Sequence, residues 1–154
     1  MIKVFGIGNI LLGDDGIGVY VIENIKEKLL KLNKNINVII GETDYLYCLE
    51  EISKDDLVII VDSTYFGKKA GTITLFNLKE CDHFIDNINS QHEINLVKAL
   101  RCEKSYIKGY LIGVEVHKVE YSLEISNELK KEFDILCKEI FYIIEKISSN
   151  TNII

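Results

Sequence analysis

Residues 5–25 read "FGIGNILLGDDGIGVYVIENI". Phe5 closes a short apolar run, Ile2 to Phe5, that reads as a buried strand. Five glycines follow (Gly6, Gly8, Gly13, Gly16, Gly18), with Asp14 and Asp15 among them. From Gly16 to about Leu32, the residues Ile17, Val19, Tyr20, Ile22, Ile25 and Leu29 recur at helical spacing, with Glu and Lys between them. The stretch is therefore a strand, a glycine-rich turn and a helix, the opening unit of an α/β fold.

Such turns usually cradle phosphate, but this one fails both nucleotide patterns. Gly6 and Gly8 supply the first two glycines of a dinucleotide fingerprint, and Leu11 stands at the third. No Gly-Lys-Ser/Thr closes a P-loop. The electrostatics agree. A helix N-terminus attracts an anion, and here two carboxylates already supply one. Phosphate would be repelled, whereas a cation would be welcome. Asp14 is expected to N-cap the helix. Asp15, a second acid beside that cap, is the better candidate for a functional group.

Downstream, Asn37 to Ile40 reads as a second strand, Tyr45 to Ile52 as a short helix, and Leu57 to Val61, "LVIIV", as a strand buried on both faces. Thr72 to Phe76 is a fourth strand, entered through a tight connection and expected to run antiparallel at a sheet edge. Residues 78–90 are loop-like. Gln91 to Arg101 is expected to be helical, with Ser90 as a cap. Tyr110 to Val116 is a fifth strand, and Ser126, as N-cap, opens a long amphipathic helix to about Ile147. Strands alternating with helices predict a mostly parallel sheet with helices on both faces. The 154 residues, without repeats or linkers, are expected to form a single domain, 1–154.

Composition narrows function. A net charge of −6 with no basic patch argues against nucleic acid and anionic membrane as partners. No secretory signal and no membrane-spanning run is evident, so a cytoplasmic protein is expected. Cys48, Cys81, Cys102 and Cys137 are scattered, and read as reduced thiols in or near the core.

In an open α/β sheet, ligands sit outside the carboxyl ends of the strands. Asp15 lies just beyond the first strand and Asp62 just beyond the third. If those strands are neighbours, the two carboxylates converge on one crevice, with Ser63 and Thr64 placed to orient Asp62. His83 reads as solvated and His117 as a surface residue. His92, expected at a helix N-terminus, would be kept neutral there and able to ligate metal. Asp15, Asp62 and His92 together form a set suited to a borderline divalent ion such as nickel or zinc.

The run Gly-x-Gly-Asn-x-Leu-x-x-Asp-Asp-Gly-x-Gly, with "VIIVDST" and "SQHEINL", resembles the signatures of the hydrogenase maturation proteases over nearly the whole chain. The resemblance implies a three-layer α/β/α sandwich around a five-stranded sheet. It implies an endopeptidase that trims the C-terminal extension of the nickel-iron hydrogenase large-subunit precursor after nickel insertion. Asp15, Asp62 and His92 would be both catalytic residues and ligands of nickel presented by that substrate. No nucleotide is implied, and a monomer is the simplest expectation. The family usually places Pro after the acid or amide that ends strand five, whereas here Val116 follows Glu115. Two rival readings are a different peptidase on the same scaffold and a non-catalytic metal- or precursor-binding assembly chaperone.

Overall fold

A computed structural model describes residues 1–83 and 95–150. Among them a five-stranded sheet has the order β2-β1-β3-β5-β4. Its strands are β1 (Ile2–Ile7), β2 (Ile36–Glu42), β3 (Leu57–Thr64), β4 (Ile73–Asn77) and β5 (Lys108–Glu115). β1, β2, β3 and β5 pair in parallel, and β4 runs antiparallel along β5 at the edge. The mostly parallel sheet and its antiparallel edge strand are as the sequence predicts.

Two helices cover each face. α1 (Ile17–Leu32) and α4 (Asn127–Asn150) bury Ile17, Ile22, Ile25, Leu29, Leu129, Ile140 and Ile144 against Val4, Ile59, Val61 and Ile112. α2 (Tyr45–Glu50) and α3 (Leu96–Glu103) bury Cys48, Leu49, Leu96 and Leu100 against Phe5, Val58, Ile60 and Leu111. Side chains alternate across a strand. Consecutive apolar residues in "LVIIV" therefore feed both layers, which is why that run has no polar face. The result is a three-layer α/β/α sandwich.

Several boundaries move. β1 and β3 run further than expected, and Asp62 lies inside β3 rather than beyond it, paired with Gly113 of β5. α3 begins at Leu96, because the extended backbone of Asn95 caps it, the side chain accepting from Lys98 N at 2.8 Å. The expected start at Gln91, the cap at Ser90 and His92 lie outside the described residues. Ser126 caps α4 as expected, its Oγ accepting from Leu129 N at 3.4 Å. Cys48, Cys81 and Cys137 are buried thiols, but Cys102 is exposed on α3, so only three of the four serve the core. Among the described residues no helix is long and apolar enough to cross a membrane.

The connections locate the site. From β1 the chain passes through α1 on one face to β2. From β2 it passes through α2 on the other face to β3, on the far side of β1. The winding reverses between β1 and β3, and such a switch point opens a crevice at the carboxyl ends of the two strands.

Candidate active site

The turn between β1 and α1 is shaped by close backbone approach. Gly8 has φ +137°, and a Cβ there would stand 2.0 Å from the Asp15 carbonyl oxygen. A Cβ on Gly18 would stand 2.2 Å from the Val61 carbonyl oxygen and 2.4 Å from that of Ile7. These glycines let the start of α1 press onto the ends of β1 and β3. They serve packing, and they bring Asp15 to the strand end that carries Asp62.

The two adjacent acids part company. Asp14 does not cap α1: the residue preceding that helix is Gly16, which makes no side-chain cap bond. The Asp14 carboxylate is fully buried and turns toward the β5–α4 connection. It accepts from the backbone N–H of His117 and Lys118 at 2.9 Å each, and from Ser126 N at 2.6 Å and Ser126 Oγ at 2.8 Å. Backbone bonds between the same segments, Gly13 N to Ser122 O at 2.9 Å and Ser122 N to Leu11 O at 3.0 Å, reinforce the seam. Asp14 is thus structural as expected, but as an anchor for a distant loop. A buried carboxylate must collect donors, and the segment ahead of α4 offers three backbone N–H groups and the Ser126 hydroxyl.

Asp15 is half-buried in the crevice. Its Oδ2 accepts from Asn9 N at 2.8 Å. Its Oδ1 accepts from Ser63 Oγ at 3.1 Å and from the Tyr65 hydroxyl. Asp62 is 2% exposed, with Oδ1 accepting from Ser63 N at 2.7 Å. Its Oδ2 is buried and has no hydrogen-bond partner among the described residues. Burial, and then the neighbouring charge of Asp15, push the Asp62 carboxyl up to about 8, against the partial relief of the Ser63 hydrogen bonds. At neutral pH Asp62 therefore holds a proton until a cation offsets the burial.

The predicted convergence of Asp15 and Asp62 is what the structure shows, with Ser63 touching both. Thr64 does not orient Asp62. Alternation along β3 sends its Oγ1 the other way, to donate to Glu115 Oε2 at 2.9 Å. Glu115, 2% exposed, also accepts from Lys68 N at 3.1 Å and pins the β3–β4 connection. His117 is exposed and faces Glu128 at 3.5 Å, and His83 is exposed as well, both as expected. Tyr65 was not legible as a site residue: nothing in "VDSTYFG" shows that the chain curls back over Asp15 after β3. Among the described residues no three His, Cys, Asp or Glu side chains cluster as a metal site. His92, expected as the third member of the set, lies outside the described residues.

The molecule is therefore an α/β/α sandwich whose switch-point crevice presents a carboxylate pair in place of a phosphate cradle. A family model described as HycI, hydrogenase maturation protease, matches residues 19–143. The chain belongs to the hydrogenase maturation protease family. The matched range includes Asp62 and His92 and begins after Asp15.

The chain is 31% identical over 118 residues to a hydrogenase 2 maturation protease of Escherichia coli, covering 73% of this chain and 71% of that protein. It is 34% identical over 83 residues to a hydrogenase expression/formation protein HupD of Rhizobium leguminosarum, covering 54% of this chain. That match spans 41% of the HupD relative's length, and a second HupD relative, from Thiocapsa roseopersicina, is spanned over 38% of its own. The structure of the E. coli hydrogenase maturating endopeptidase HybD superposes with a TM-score of 0.78 at 22% identity, covering 94% of this chain and 92% of that one. At that identity the superposition shows the shared fold.

Proposed function

We propose that the protein is an endopeptidase that removes the C-terminal extension of a nickel-iron hydrogenase large-subunit precursor after nickel has been inserted. One observation carries the reading: a buried carboxylate oxygen, Asp62 Oδ2, without a partner among the described residues, beside Asp15 at the switch point of a chain of this family. A buried acceptor left open costs stability, and a cation would satisfy it.

The donor set fits the substrate's nickel. Asp15 and Asp62 offer carboxylate oxygens, and His92, matched through the "SQHEINL" segment, would add an imidazole. Binding the metal of the precursor fixes the scissile peptide in the crevice, an advantage of orientation. Nickel also reports that the precursor is ready to be cut. An ionised carboxylate beside the scissile bond can accept the proton of an attacking water, and the metal can acidify that water instead. Asp15, Asp62 and His92 are the proposed catalytic and metal-binding residues. We place the protein in the cytoplasm as a monomer that needs no nucleotide.

The test is to mix the purified protein with a precursor from the same cell, with and without nickel, and to weigh the products by intact mass spectrometry. Loss of a short C-terminal peptide from the nickel-loaded form alone is the expected result. Cutting of both forms would sink nickel-directed cleavage and leave a more general peptidase on this scaffold. Binding without cutting would make the protein an assembly chaperone.

A further inference from the structure

We propose that Tyr65 and Ser63 are positioning residues that make Asp15 a one-oxygen ligand. The inference rests on the function proposed above and adds what the strand end does to the carboxylate. An ionised carboxylate has about four lone-pair positions, two on each oxygen. On Asp15, Oδ1 has both filled, by Ser63 Oγ at 3.1 Å and by the Tyr65 hydroxyl. Oδ2 has one filled, by Asn9 N at 2.8 Å. Among the described residues one position is left, on Oδ2. Two-oxygen coordination would require breaking one of the two hydroxyl bonds on Oδ1.

The two hydroxyls that fill Oδ1 lie with Asp62 on one short piece of chain. Asp62, Ser63 and Thr64 end β3, and Tyr65 follows it. Ser63 N also holds Asp62 Oδ1 at 2.7 Å, so the open oxygen there is again Oδ2. A single strand end therefore sets the directions of both carboxylates, its own and, through two hydroxyls, the one across the crevice. Tyr65 is half-buried. Coordination through one oxygen from each acid leaves more of the metal's positions open to the precursor's own ligands than two-oxygen coordination would.

The experiment has two arms. In the first, cleavage of nickel-loaded precursor is measured for the wild type, Tyr65→Phe, Ser63→Ala and the double variant, with melting temperature as a check on folding. Tyr65→Phe is expected to lower kcat about tenfold with KM unchanged, and the double variant to lower it further, as loss of orientation does. Wild-type kcat in Tyr65→Phe would overturn the proposal. So would a raised KM at unchanged kcat, which would make Tyr65 a contact for the precursor.

In the second arm, crystals of the wild type and Tyr65→Phe are soaked in a nickel salt. Nickel on Oδ2 of Asp15 with the Tyr65 hydroxyl still on Oδ1 is expected in the wild type. A shifted or two-oxygen carboxylate is expected in Tyr65→Phe. Nickel on Oδ1, a displaced phenol, or no nickel at Asp15 would each overturn the proposal. If the wild type does not cut the precursor at all, the proposed function fails, and the soaked crystals alone decide the ligand geometry.

Discussion

Two neighbouring regions contain carboxylates that differ by one position in sequence and by everything in environment. Around Asp14, a fully buried carboxylate meets four donors from the β5–α4 connection, and its charge is saturated. Around Asp15 and Asp62, two carboxylates share Ser63, one oxygen has no partner among the described residues, and the Asp62 carboxyl is pushed up to about 8. The first region spends its acid on holding the fold. The second leaves a buried carboxylate oxygen without a partner among the described residues. Burial alone does not separate the two roles; the number of donors met does.

The largest expected effect comes from breaking the saturated region. Asp14→Ala strips a common acceptor from four donors, and should cost about 4 kcal/mol in urea unfolding. A loss near zero would show that water replaces the anchor and would erase the contrast.

Asp62→Asn should do the opposite. The folded chain keeps its Asp62 proton up to about pH 8, whereas an ordinary carboxyl near 3.8 loses it on unfolding. Between these values the folded state holds the extra proton, so the contribution of Asp62 to stability falls as pH rises from about 4 to 8. Asparagine copies the neutral acid and removes that slope. The metal-free variant should therefore be more stable than wild type at pH 8, by several kcal/mol, and close to it at pH 4. It should also fail to cut nickel-loaded precursor. An unchanged pH slope, followed by chemical denaturation, would mean that Asp62 is not the open acid described here.

Ser126→Ala sharpens the comparison further, removing one of the four donors and the cap of α4 together. About 1 kcal/mol should be lost, with cleavage retained, since Asp14 keeps its three backbone donors. The smallest effect belongs to Glu120→Gln. Glu120 lies in the same β5–α4 connection and pairs with Lys118 at 2.9 Å, but both side chains are more than half exposed (54% and 59%). Its melting temperature should not move measurably. A clear shift would mean that position in the connection matters more than burial.

Much of this contrast could be read before the fold was known, and the part that could not has a physical explanation. The glycine spacing matches neither nucleotide pattern, and the double acid stands where a phosphate would sit. The unbroken apolar run "LVIIV" required a strand covered on both faces, and β1 and β3 are indeed neighbours. Asp62 was expected just past its strand because a polar residue after an apolar run reads as the start of a loop. Its pairing with Gly113 depends on β5, about fifty residues away. Asp14 was expected to cap the helix it precedes, since only local partners are visible in a sequence. Its actual donors are more than a hundred residues distant. Tyr65 carried no signal, because its role depends on how the chain turns after β3.

The sequence by itself determined the alternation of strands and helices, the antiparallel edge strand, the acidic turn in place of a phosphate cradle, and the resemblance that points to the family. These depend on side-chain periodicity and local charge, which act over a few residues. Tertiary structure alone decided which of two adjacent aspartates would anchor and which would face the crevice, and left Asp62 Oδ2 without a partner among the described residues. Those outcomes depend on how many donors distant segments bring to a buried carboxylate, and only the folded chain supplies that number.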